Sequence, residues 1–176
     1  MKILANDGIA KNAVEILNEN GFEVYLEKVD QENLIEFINT NKITVLLVRS
    51  ATQVRKNLID KCKSLKIVGR GGVGMDNIDV EYAKSKDILV INTPAASSNS
   101  VAELVFAHLF SGSRFLYDSN RNMPLEGEKN FKSLKKNYSK GMELKNKNLG
   151  IIGLGKIGLE VSRIAFGIGM NILGFD

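Results

Sequence analysis

The chain has 176 residues, 44% of them hydrophobic and 25% charged, with one cysteine, one histidine and a formal net charge of +4. This excludes a disordered chain, a collagen-like fibre and a disulfide scaffold; the lone Cys62 leaves no internal disulfide and points to a reducing compartment. No stretch reaches the roughly 18 apolar residues of a membrane helix, and Met1–Asp7 meets an acid too early for a signal peptide, so a cytoplasmic protein without a membrane partner is expected.

Strand and helix signals alternate from the start. Lys2–Ala5 reads as a strand closed by the turn cluster Asn6-Asp7-Gly8. Ile9, Ala13, Val14, Ile16 and Leu17 recur at helical spacing until Asn20-Gly21. Phe22–Leu26 alternates like a strand, Leu34 to Ile38 marks a helix, and Ile43–Val48 is a nearly continuous apolar strand. A short helix near Lys56–Lys63, a strand at Leu65–Val68, a helix at Asp79–Lys86 and a strand at Ile88–Ile91 follow. Five strands with intervening helices imply an α/β fold with a doubly wound, flavodoxin-like parallel sheet.

Asn92-Thr93-Pro94 ends that unit, because Pro94 fixes its own φ and keeps Thr93 out of the helical region. The first domain is therefore placed at 1–96 and a second at 97–176. Ser100-Val101-Ala102-Glu103 reads as a capping box. The helix it opens, to about Tyr117, is apolar around most of its circumference and needs a second body to cover it. His108 on that helix reads as a core or interface residue. Residues 118–147 are polar and weakly periodic and read as a long loop. Seven lysines and one acid, Glu143, fall within 129–147. The basic excess is thus local, which argues against a nucleic-acid partner and leaves either a solvated loop or a contact for an anionic substrate.

The pattern restarts with a strand at Asn148–Ile152, a helix at Lys156–Phe166 and a strand at Asn171–Phe175. Gly153-Leu154-Gly155-Lys156-Ile157-Gly158 fits G-x-G-x-x-G between strand and helix, and Asp176 stands eighteen residues after Gly158. In that context each element has a use: a tight turn at Gly153, backbone approach to a pyrophosphate at Gly155, helix–strand contact at Gly158, and a ribose-diol acceptor at Asp176. An acid there repels a 2′-phosphate, so NAD is expected rather than NADP. Gly69-Arg70-Gly71-Gly72-Val73-Gly74 reads as an anion nest after a strand, and Arg49-Ser50, after the preceding strand, is suited to a carboxylate or phosphate. An ordinary surface ion pair for Arg49 fits the sequence equally well.

V-R-S-A-T at 48–52, G-R-G-G-V-G-M-D-N-I-D at 69–79, N-T-P at 92–94, S-V-A-E-L at 100–104 and L-G-I-I-G-L-G-K-I-G at 149–158 together resemble the D-2-hydroxyacid dehydrogenases. The resemblance implies a substrate domain followed by the start of a Rossmann NAD-binding domain, and a homodimer through the helix from Ser100. It implies that Arg49, Ser50, Gly71, Gly72 and Val73 face substrate or nicotinamide. It also implies that Gly153, Leu154, Gly155, Lys156, Ile157, Gly158 and Asp176 hold NAD, and that Lys136 meets or steers a phosphate. Two positions depart from the family pattern: Val73 where many relatives carry threonine, and Ser97 where an asparagine is frequent. The implied reaction is NAD-dependent oxidation of a D-2-hydroxyacid, with 3-phospho-D-glycerate expected and lactate or glycerate as alternatives. No residue matches the family's catalytic arginine, glutamate or histidine, and no metal ligand set is expected. The chain is therefore expected to be the N-terminal portion of a longer enzyme and inactive alone; a non-catalytic NAD-sensing module is the rival reading.

Overall fold

A computed structural model describes residues 1–176, and the chain divides into two compact units, Met1–Pro94 and Ala95–Asp176. The division falls two residues before the expected boundary.

The first unit holds β1 (Lys2–Ala5), α1 (Lys11–Glu19), β2 (Glu23–Tyr25), α2 (Leu34–Asn41), β3 (Val45–Val48), α3 (Lys56–Lys61), β4 (Ile67–Arg70), α4 (Val80–Ser85) and β5 (Leu89–Asn92). All pairings are parallel in the order β2-β1-β3-β4-β5. Strand alternation sends Leu4, Leu46, Val48 and Val68 into one core with Leu34 and Ile38 of α2, Leu58 and Ile59 of α3 and Ala83 of α4. The strand order reverses between β1 and β3, so the crevice beyond their carboxyl ends is where such a sheet receives a ligand. β4 begins two residues later than the apolar run suggests. Gly69 and Arg70 therefore belong to the strand, not to the expected nest. A Cβ on Gly69 would lie 2.8 Å from Leu47 Cδ2, so the end of the Leu47 side chain would have to shift.

The second unit holds α5 (Ser98–Ser113), α6 (Leu116–Tyr138), β6 (Asn148–Ile152), α7 (Lys156–Ile168) and β7 (Asn171–Phe175), with β6 and β7 paired in parallel. Ala102 and Phe106 of α5, Val161 and Ala165 of α7, Leu144 and Met170 form its core. α5 starts at Ser98 with Ser97 as its N-cap residue, and no side chain caps it. The expected capping box is absent because Ser100 already lies inside the first turn; Glu103 instead accepts from Asn99 Nδ2 at 2.8 Å. The helix stops at Ser113, since Phe115 takes a left-handed φ of 55°.

The expected loop at 118–147 is mostly helix. α6 turns at Asn130 (φ −116°, ψ 18°) and its second half folds back. The Tyr138 ring lies 6.3 Å from that of Phe115, and its hydroxyl accepts from Asn122 Nδ2 at 3.2 Å. A straight helix would hold residues 122 and 138 about 24 Å apart. The segment has few apolar residues because it buries little: Leu134 alone is buried.

Candidate functional site

Two turns at the carboxyl ends of parallel strands could receive anions, one in each unit. In the first unit, Arg49 and Ser50 follow β3 and are exposed. The Gly71 N–H donates to the Val48 carbonyl at 2.8 Å, and a Cβ on Gly71 would lie 3.7 Å from Arg49 Cγ, so the β3 and β4 loops run side by side. Thr93 N–H donates to the Gly72 carbonyl at 3.1 Å, and Asn92 Nδ2 to that of Val73 at 2.7 Å, fixing the glycine loop from its other side. The structure thus brings Arg49, Ser50, Gly71, Gly72 and Val73 together. The ion pair considered for Arg49 does not form: no carboxylate lies within salt-bridge distance of its guanidinium.

Three polar side chains here carry no motif of their own. Arg70 is 11% exposed, its Nη1 donates to Asp76 at 2.6 Å, and its buried Nε has no partner. The Arg70 hydrogen bond holds the Asp76 carboxyl below its usual range. Asn77 is buried, and Asp7, following β1, has 5% of its side chain exposed. Burial pushes the Asp7 carboxyl up, yet Lys28, the Arg49 amide, and the Thr52 hydroxyl and amide together bring it down to about 2. Asn6-Asp7-Gly8 reads in sequence as a turn, so nothing local announces these contacts, which all come from distant residues.

In the second unit, Gly153 has φ 94°, a conformation open to glycine at little cost, and its N–H donates to the Phe175 carbonyl at 2.7 Å. A Cβ on Gly158 would lie 2.1 Å from the Gly153 carbonyl oxygen, whereas a Cβ on Gly155 would meet nothing within 4 Å. One glycine is therefore a packing requirement, and the other leaves open space at the mouth of α7. No side chain caps α7, so the N–H groups of Lys156, Ile157 and Gly158 point outward with the positive end of the helix dipole. The Leu154 N–H donates to Asp176 Oδ1 at 3.0 Å, which holds the acid beside the turn. Gly174 also matters: a Cβ there would lie 2.7 Å from Leu154 Cδ1, and only the β7 pattern hints at it. These residues fit a dinucleotide.

Lys136 is exposed on the second half of α6. His108 is exposed on α5, not buried in this chain, because Ala102 and Phe106 face the core instead. No group of three or more His, Cys, Asp or Glu side chains converges to hold a metal, and no helix is long and apolar enough to cross a membrane.

A family model described as "D-isomer specific 2-hydroxyacid dehydrogenase, catalytic domain" matches residues 3–160. The chain is 42% identical to D-3-phosphoglycerate dehydrogenase of Methanocaldococcus jannaschii, covering 100% of this chain and 32% of that protein. It is 40% identical to hydroxypyruvate reductase of Thermotoga maritima, covering 99% and 55%. The solved structure of NAD+-bound 3-phosphoglycerate dehydrogenase from Entamoeba histolytica matches with a TM-score of 0.74 and 37% identity, covering 100% of this chain and 54% of that one. The chain thus spans about a third to about half of the relatives it matches.

Proposed function

We propose, from the premise that the chain belongs to the D-isomer specific 2-hydroxyacid dehydrogenase family, that it serves NAD-dependent oxidation of 3-phospho-D-glycerate to 3-phosphohydroxypyruvate. The observation that carries the cofactor is the uncapped N-terminus of α7, with open space at Gly155 and Asp176 beside the turn. Bound there, NAD would supply the acceptor for the C2 hydride. The N–H groups of Lys156, Ile157 and Gly158 at the uncapped start of α7 would hold its pyrophosphate, and Asp176 would accept from the ribose hydroxyls beside its Leu154 N–H contact.

In the first unit the unpaired Arg49 guanidinium, the Ser50 hydroxyl and the backbone of Gly71–Val73 hold the substrate's carboxylate or phosphate. Arg70, whose charge is balanced by Asp76, leaves its buried Nε without a partner at the same loop. Lys136 supplies positive field for the phosphate. The proton-transfer pair has no counterpart here, because His108, the single histidine, sits on an exposed face of α5 remote in sequence from either turn. The chain alone is therefore expected to bind NAD without turning over. Leu104 of α5 is 57% exposed and Phe110 of the same helix is also open, which supports a homodimer through α5. The buried free thiol of Cys62 supports a cytoplasmic setting.

A second reading, reduction of hydroxypyruvate, is favoured by the Thermotoga maritima relative. Steady-state assays of the intact protein with 3-phospho-D-glycerate, D-glycerate and D-lactate separate the two. A clear kcat/KM preference for the phosphorylated acid is expected; a preference for D-glycerate overturns the first reading. Asp176→Ala should shift preference toward NADP by about 1–3 kcal/mol, the worth of one charge-assisted contact; an unchanged preference overturns the ribose assignment.

A further inference from the structure

The loop after β3 has its two ends held by side chains alone. On one side, Asp7 Oδ2 accepts the Arg49 N–H at 2.7 Å and the Thr52 N–H at 3.1 Å, while Oδ1 accepts the Thr52 hydroxyl at 2.8 Å. On the other side, Asn77 Nδ2 donates to the Arg49 carbonyl at 2.8 Å and to the Thr52 carbonyl at 2.6 Å. Both backbone polar groups of Arg49 and of Thr52 are thus taken, and Ser50 and Ala51 stand exposed between them. Thr52 is held once more, since its hydroxyl oxygen accepts from the buried Asn6 Nδ2 at 2.8 Å.

We propose that Asp7 and Asn77 are positioning residues for substrate: a carboxylate and a carboxamide gripping opposite faces of residues 49–52 so that the Arg49 guanidinium is presented, unpaired, to the incoming anion. The proposal rests on the reading that Arg49 meets the substrate. The chemistry of each position is specific. Only an acceptor can face two amides and a hydroxyl, and only a two-proton donor can face two carbonyls. A buried carboxylate so close to Arg49 would ordinarily capture the guanidinium. It does not, because Lys28 Nζ lies 2.5 Å from Oδ1 and supplies the counter-charge, and the remaining acceptor sites are filled by the loop. Lys28 thereby leaves Arg49 free, and the clamp shapes the site without neutralising it. Asp79 and Asp76, the other carboxylates nearby in sequence, are engaged by Arg55 and Arg70.

The test uses the intact protein with Asp7→Asn and Asn77→Ala, and Asp60→Asn as a control that loses a bond from the Tyr82 hydroxyl elsewhere in the first unit. Two readouts are taken: amide exchange at Arg49 and Thr52, and KM for the 2-hydroxyacid and for NAD alongside kcat. The expected result is exchange faster by about tenfold or more at those two amides in Asp7→Asn, which weakens their shared acceptor, and a smaller rise in Asn77→Ala, which releases only the two carbonyls and so loosens the loop. With it, KM for the 2-hydroxyacid rises about tenfold, while KM for NAD stays put and kcat falls far less. The control should shift thermal stability without splitting the two KM values. Wild-type exchange at Arg49 and Thr52 in both variants overturns the clamp, as does a parallel rise of both KM values. If the wild-type protein turns over no 2-hydroxyacid, the functional reading fails by itself, and the exchange rates still decide whether Asp7 and Asn77 hold the loop.

Discussion

The turn after β6 takes its shape mainly from glycines that lack a Cβ, with one side-chain contact from Asp176, whereas the loop after β3 takes its shape from side chains 42 and 28 residues away in sequence. At Gly153–Gly158 a positive φ, a close approach and an open cradle are all properties of missing Cβ atoms. At 48–52 no glycine is present, and the loop's shape is set instead by Asp7, Asn77 and Asn6 gripping the chain. A glycine-built turn fails chiefly through sterics. A side-chain-built loop fails through charge and is sensitive to pH.

The largest effect should come from breaking the first kind. Gly158→Ala sets a Cβ 2.1 Å from the Gly153 carbonyl oxygen and 3.1 Å from its carbon, a backbone group rather than the end of a flexible side chain. A loss of more than about 3 kcal/mol is expected, measured by urea unfolding, together with loss of NAD binding.

The second kind should break with acid. Asp7 has its carboxyl lowered from 3.8 to about 2 in the folded chain. A depressed carboxyl stabilises the fold above its unfolded value, and that stability is lost as pH falls through the folded value. The contribution is about 2 kcal/mol. Urea unfolding of the wild type and of Asp7→Asn should therefore differ by about that much near neutrality, with the gap closing between pH 3.8 and about 2. A gap that persists at the acid end would mean that the variant loses packing and not charge.

The same contrast explains what the sequence discloses. Spacing of Gly153, Gly155 and Gly158 is readable because their conformations depend on near neighbours along the chain, and Asp176 is readable because one strand–helix–strand unit fixes its distance from them. The parallel sheet is readable because β3 and its neighbours are apolar runs between turn clusters. Arg70 and Asn77 stand in the sequence only as members of a glycine-rich motif; their contacts depend on a burial and a partner that arise after folding. α6 leaves no signal for a different reason. A helix that buries Leu134 alone has no apolar period to show, and Pro124 inside it argues for a break. The helix at Ser98 was displaced by a capping box that fits the pattern but lies a turn too late.

A smaller effect separates shape from stability within the glycine-built turn. Gly155→Ala adds a Cβ that meets nothing, at a φ of −64° that alanine adopts freely. The fold should change by less than about 1 kcal/mol, the range for an N-cap residue without a side-chain oxygen. NAD affinity, followed by calorimetry on the chain itself, should nonetheless fall about tenfold, since the methyl group occupies the pyrophosphate cradle. Equal affinity would move the pyrophosphate elsewhere on the α7 turn.

The smallest effect belongs to Lys136. Its side chain is exposed on a helix that buries almost nothing, so Lys136→Ala should leave stability within about 0.5 kcal/mol. Its influence on an anionic substrate is a matter of field, and field is screened over about 10 Å at 0.1 M salt. In the intact protein the variant should therefore raise KM for 3-phospho-D-glycerate by about twofold at low ionic strength, leave KM for NAD unchanged, and become indistinguishable from the wild type at high salt. A direct hydrogen bond to the phosphate behaves otherwise, because a contact that excludes water is screened far less: KM would rise about tenfold and stay raised as salt is added. The salt slope thus distinguishes a steering lysine from a binding one. A binding lysine would put a side-chain anion contact on the second unit, and the contrast between a glycine-built turn there and a side-chain-built loop in the first unit would narrow accordingly.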